Sequence, residues 1–210
     1  MNTRYIKWHK HEELERIAKE IHKKYKCKVP IDIDFLIEIM GLDIRDINRL
    51  KEDFGLYGFI GKVKDKFTIF VQKGDFNTTN YNTNLTLAEE LSHYILHKHY
   101  FEKVNDIDEA FDFYADMKKE ADMMMEFNAK HLAGALLIPS EDLKIKALGL
   151  FKENKQILSR LLKNDCDQII SYLSIALSDI YRAPQAAIIY RLKAKVVGFR
   201  EILKDECGWA

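Results

Sequence analysis

Residues 85–97 read Leu-Thr-Leu-Ala-Glu-Glu-Leu-Ser-His-Tyr-Ile-Leu-His, and their spacing predicts an amphipathic helix. Leu87, Leu91, Tyr94 and Ile95 recur at helical intervals and define a core-facing side. At 100° per residue, Glu89, Glu90, His93 and His97 fall within an arc of about 100°. Four groups able to ligate a metal or carry a proton thus share one side of one helix. Glu89 and His93 are four residues apart, an offset from which two side chains reach one ion, and Glu90 stands beside them. The stretch is one residue short of His-Glu-x-x-His, because residues 89–93 are Glu-Glu-Leu-Ser-His.

Working outward, residues 74–84 are rich in Asn and Thr and read as a loop leading into this helix. Before it, 58–63 and 67–71 are apolar runs separated by Lys64-Asp65-Lys66, a β-hairpin pattern, and 42–47 alternates as a short strand. A helix is expected over 10–26, with Leu14, Ile17, Ala18, Ile21 and Tyr25 as its apolar stripe. Asp32 or Asp34 caps a short second helix through Ile39, with Gly41 just past its end. Downstream, an acidic stretch around Asp106 to Asp116 reads as a solvated face. Residues 117–137 form a strong helix that Pro139 ends, and Ser140 begins the next. Three further helices are expected at 154–163, 166–181 and 184–198, and a frayed tail carries Trp209.

The 210 residues suffice for one sizeable core. Lys+Arg and Asp+Glu are both 33, so net charge gives no prior for nucleic acid. No apolar run approaches the ~18–20 residues of a membrane span, and the first residues lack a signal-peptide core. Cys27, Cys166 and Cys207 are odd in number and widely spaced. That suits free thiols in a reducing cytoplasm, which is the expected location.

A site on the 85–97 helix needs a further ligand from elsewhere, and Glu126 is the best candidate. It opens Glu-Phe-Asn-Ala-Lys-His-Leu-Ala-Gly-Ala-Leu-Leu-Ile-Pro over residues 126–139. With these two motifs the chain resembles the ImmA/IrrE family of zincin-like metallo-endopeptidases. There, a Thr-Leu-Ala-His-Glu-Leu-Gly-His-Tyr-Leu-Leu-His helix precedes a Glu-x-x-Ala-x-x-Phe-Ala-x-x-Leu-Leu-x-Pro helix. Thr86, Leu87, Ala88, Glu90, Leu91, His93, Tyr94, Leu96 and His97 match the first. Glu126, Ala129, Ala133, Leu136, Leu137 and Pro139 match the second, with Leu132 where the family has Phe. Val29 to Asp32, Gly41 and residues 173–192 resemble the family's flanking segments, so the likeness spans roughly 10–198.

The resemblance implies a zinc ion held by His93 and Glu126, with Glu90 as the base. Glu89 occupies the place of the first histidine and Ser92 that of a glycine. It further implies a protein substrate, a helix-turn-helix repressor, often of a mobile genetic element, and a role in relieving transcriptional repression. A carboxylate ligates zinc too, but with Glu89 and Glu126 both bound the ion's charge is formally cancelled. The harder donor set shifts preference toward Mn or Fe. Thr86-x-x-Glu89 is equally a capping box, and a glutamate so used is not a ligand. The helix pair in 166–198, with Arg191, Lys193 and Lys195, matches a helix-turn-helix as well as it matches plain packing helices.

The expected fold is therefore α+β and mostly helical: a zincin-like helix pair, a small antiparallel sheet near 42–71 and a C-terminal helical subdomain. Residues 1–150 are expected to form the metallopeptidase-like domain and 151–210 the subdomain packed on it. The expected function is a metal-dependent endopeptidase. The alternative is a catalytically silent zincin-like protein that binds a transcriptional regulator or DNA.

Overall fold

The computed structural model describes residues 6–72, 81–102, 104, 106, 108–109, 112–113, 119–161 and 165–207. The chain is α+β and mostly helical, as its periodicity predicts. Helix α1 spans His11–Tyr25 and buries Leu14 and Ala18. The next helix, α2 (Ile33–Ile39), is capped by Asp32, whose carboxylate accepts from the Phe35 amide at 3.0 Å. Then come β1 (Asp43–Asp46), a short α3 (Leu50–Phe54), β2 (Gly58–Val63) and β3 (Lys66–Val71). Lys64 and Asp65 both take positive φ, 49° and 66°, as a two-residue type I′ hairpin turn requires.

The sheet is mixed, which corrects the antiparallel expectation. Strand order is β1-β3-β2, with β2 antiparallel and β1 parallel to β3. The tight turn obliges β2 and β3 to run antiparallel. The link from β1 to β2 instead passes through α3, which is long enough to leave room for β3 between them. As the central strand, β3 is buried from Thr68 to Val71.

Helix α4 runs Tyr81–Phe101, longer at both ends than 85–97. Residues 81–84 of the expected loop thus belong to this helix, and residues 73–80 lie outside the described residues, as do parts of the acidic stretch and Trp209. Helix α5 spans Lys119–Leu137 and packs along α4, while β2 and β3 cover another side of α4 and α1 packs on α5. Helix α4 is therefore enclosed: Leu87 and Leu91 are buried, and so are Glu90, Ser92, His93 and His97.

Helix α6 (Ser140–Leu161) is continuous, merging the two helices expected at 140 and 154–163, and the division expected at residue 150 falls inside it. Helices α7 (Cys166–Tyr181), α8 (Gln185–Lys193) and α9 (Phe199–Cys207) follow. The last expected helix thus stops at Lys193, and a separate α9 takes in residues 204–207, the first part of the tail expected to fray from Lys204. Asp165 caps α7 through the amides of Asp167 and Gln168. One hydrophobic cluster runs from Ile6 through the sheet and α4–α5 to Leu203. At its C-terminal side sits Arg191, 4% exposed. Its guanidinium donates to Glu15, to the Ile138 carbonyl at 3.0 Å and to Ser140 Oγ at 2.7 Å.

Candidate functional site

Glu90, His93 and Glu126 converge where α4 crosses α5. His93 Nε2 lies 3.3 Å from Glu126 Oε1, although 33 residues separate them in sequence. The pairing follows from the two helical registers, since His93 faces α5 and Glu126 lies on the α5 side facing back. The His93 ring is 3% exposed. Its other nitrogen, Nδ1, is 3.3 Å from Nδ1 of His97, one helical turn on. The Phe101 ring packs against the His93 ring in a T-shaped pair, with centroids 5.8 Å apart and planes at 80°. Glu126 Oε2 is held by Lys130 Nζ at 3.1 Å.

Glu90 is 7% exposed, and its Oε2 has no hydrogen-bond partner among the described residues. Strand β2 comes close here because residue 58 is glycine. A Cβ at that position would lie 2.8 Å from Thr86 Cγ2 and 3.2 Å from Glu90 Cγ. Glu89, the remaining carboxylate, is half-buried on the same helix. The capping-box reading of Glu89 is overturned: α4 begins at Tyr81, so Thr86 stands inside the helix and caps nothing. Ser92 donates its hydroxyl proton to the Ala88 carbonyl at 2.7 Å, a bond within its own helix.

Burial pushes the Glu90 carboxyl up to about 7; His93 opposes this, and the negative charges of Glu126 and Glu89 add to it. Burial likewise raises Glu89, with Lys130 opposing and Glu126 reinforcing. For His93, burial pulls downward, but the Glu126 hydrogen bond and the three nearby carboxylates outweigh it and raise the imidazole. Glu126 also feels burial first, yet His93 and Lys130 together hold it at about 2. Burial takes His97 down to about 3, so that ring is neutral.

The donors fit a divalent ion in type and, for one pair, in spacing. Two ligands about 2.0–2.1 Å from a tetrahedral ion lie about 3.3 Å apart, which matches His93 to Glu126. Glu89 stands at the helical offset from which a third donor reaches the same point. In the conformation described it is not gathered in: among the described residues, no three His, Cys, Asp or Glu side chains are arranged to hold a metal. The site as described is thus one donor pair, with Glu89 four residues before His93 on α4.

Lys130 was not singled out by the sequence reading, although its place four residues after Glu126 is a recognisable ion-pair spacing. His131 is nearly buried and shares a hydrogen bond with the Tyr190 hydroxyl at 2.9 Å. His11 and His22, without evident partners in the sequence, pack on the His131 ring and bond the Leu136 carbonyl at 2.8 Å, respectively. Of the basic residues in the helix-turn-helix reading, Arg191 is buried and Lys193 is paired with Asp167 at 3.1 Å. No helix among the described residues is long and apolar enough to cross a membrane. No protein-family model matches the chain, and no curated protein matches it.

Proposed function

We propose that this chain is a metal-dependent endopeptidase of the ImmA/IrrE kind, acting in the cytoplasm on a protein substrate, with a helix-turn-helix repressor as the substrate the resemblance implies. The observation that carries the reading is the 3.3 Å approach of His93 to Glu126, with Glu90 buried beside them. Two motifs far apart in sequence bring their polar groups to one point, as the resemblance implies.

His93, Glu126 and Glu89 would hold the ion, zinc or, with this carboxylate-rich set, Mn or Fe. A divalent ion there supplies Lewis acidity toward a peptide carbonyl. Glu90 takes a proton from the attacking water on Oε2, the oxygen that no described residue satisfies, and passes it to the departing amine. A carboxyl near 7 suits both halves of that transfer at neutral pH. The close approach of β2 at Gly58 and the burial of Glu90 keep bulk water from the base. Zinc titration calorimetry tests the reading: wild type binds, His93→Ala and Glu126→Ala do not, and Glu90→Gln binds zinc but cleaves no peptide. Zinc uptake unaffected by His93→Ala would defeat it.

A silent, regulator-binding descendant is the second reading. Lys130 Nζ on Glu126 Oε2 favours it, because an ammonium already balances part of the charge that a metal would balance. That reading expects no uptake at millimolar zinc. DNA contact through α7 and α8 draws little support, with Arg191 and Lys193 both engaged within the protein.

A further inference from the structure

The function proposed above leaves one buried polar side chain without a role. His97 is 2% exposed, and its Nε2 has no hydrogen-bond partner among the described residues. Its polar contact is Nδ1 against Nδ1 of His93, at 3.3 Å. A nitrogen-to-nitrogen contact between two imidazoles is a hydrogen bond only if one ring brings the proton and the other a lone pair. The two residues are one helical turn apart, so the backbone of α4 fixes their spacing. The Phe101 ring packs T-shaped against the His93 ring as well.

We propose that His97 is a positioning residue for His93: its Nδ1 accepts the Nδ1–H of His93 and so presents Nε2 of His93 toward Glu126 as the ligating atom. The logic is that of proton bookkeeping on one ring. An imidazole that ligates through Nε2 has its proton on Nδ1, and that proton needs an acceptor. Ligating histidines ordinarily give it to a carboxylate, a backbone carbonyl or water. Among the described residues neither a carboxylate nor a backbone carbonyl bonds Nδ1, and the lone pair of His97 takes their place. A neutral imidazole adds no charge to a cluster that already carries three carboxylates. It therefore orients His93 without strengthening it as a base, as a carboxylate partner would. Where His93 instead donates Nε2–H to Glu126, His97 still accepts at Nδ1, so one arrangement serves both states.

This rests on the metal reading for its effect on affinity, though not for the direction of the bond. Two measurements keep them apart: zinc titration calorimetry on wild type, His97→Phe and His97→Asn, and side-chain 15N NMR of wild type with and without zinc. Phenylalanine keeps the ring and removes the acceptor, so zinc binding should weaken by about 10- to 100-fold, the usual effect of losing an outer partner. Asparagine places an oxygen near the lost Nδ1 and should restore most of the affinity. In the spectra, His93 should carry a proton on Nδ1, and His97 should have a bare Nδ1 and a proton on Nε2. The proposal is overturned if folded His97→Phe binds zinc like wild type, or if His97 carries its proton on Nδ1. If wild type takes up no zinc, the metal reading falls. The metal-free spectrum then still decides the bond: a bare Nδ1 on His97 upholds it and the reverse tautomer overturns it.

Discussion

Glu90→Gln isolates one proton and keeps the side chain's shape. In the fold the Glu90 carboxyl is buried and shifted from the usual 4.5 to about 7, foremost by that burial. Below about pH 4.5 the folded and unfolded chains both hold the proton. Between 4.5 and 7 the unfolded chain releases it and the folded one keeps it, so wild type loses stability as pH rises through that window. Above 7 the folded protein carries a buried anion and the loss is complete. At about 1.4 kcal/mol per pH unit, the full loss is about 3 kcal/mol. Glutamine has no such titration. Denaturant unfolding of both proteins in chelator, at about pH 4 and about pH 8, should show Glu90→Gln gaining about 3 kcal/mol relative to wild type over that range. Two stability curves that stay parallel across the window would refute the assignment of a buried, high-pKa carboxyl. The same variant should bind zinc and cut nothing, since a proton acceptor is removed and no ligand is.

Glu89→His rebuilds His-Glu-x-x-His and removes a negative charge from the ligand set, so calorimetry should show tighter zinc binding; because Glu89 caps nothing, the melting temperature should barely move. Equal affinity in wild type and variant would remove Glu89 from the ligand set. Arg191→Ala should cost about 3–5 kcal/mol in denaturant unfolding, since it strands Glu15 and the Ile138 carbonyl without their buried cation; a loss under about 1 kcal/mol would mean water replaces the guanidinium. Gly58→Ala pushes a methyl group into Thr86 and toward Glu90, so it should destabilise by about 1–3 kcal/mol and depress cleavage while zinc affinity stays near wild type. Unchanged cleavage kinetics would show that β2 does not hold Glu90 in place.

The two site helices were legible because their apolar residues keep the 3.6 period over many turns, and the hairpin because two β-rich runs flank a polar pair. The partnership of His93 with Glu126 came from resemblance and from the need for a ligand outside α4; no local pattern encodes a contact across 33 residues. The parallel pairing of β1 depends on how the 47–57 link crosses the sheet, which alternation within a strand does not report. Tyr81-Asn-Thr-Asn has weak helix propensity, yet α4 begins there, with Tyr81 and Asn84 bonded to Asp179 and the Arg182 carbonyl. Gly149 lies inside the continuous α6. Its cost of about 1 kcal/mol is outweighed by the burial of Ala147, Phe151 and Leu158 along one face. His97 was visible as a histidine one turn from His93, but which of its nitrogens meets the His93 ring depends on side-chain rotamers that spacing does not report.

The bonds of Arg191 bear on how this protein can be inherited. The cation comes from α8, its carboxylate from α1, and its other acceptors from the turn between α5 and α6. A crossover that replaced residues 165–207 with a foreign helical segment would leave Glu15 facing an empty place unless the incoming segment carried an arginine in register. The last helices are therefore a poor cassette for exchange. Sequence change there should instead travel in concert with change near residues 15 and 134, where a glycine makes room for the arginine's stem.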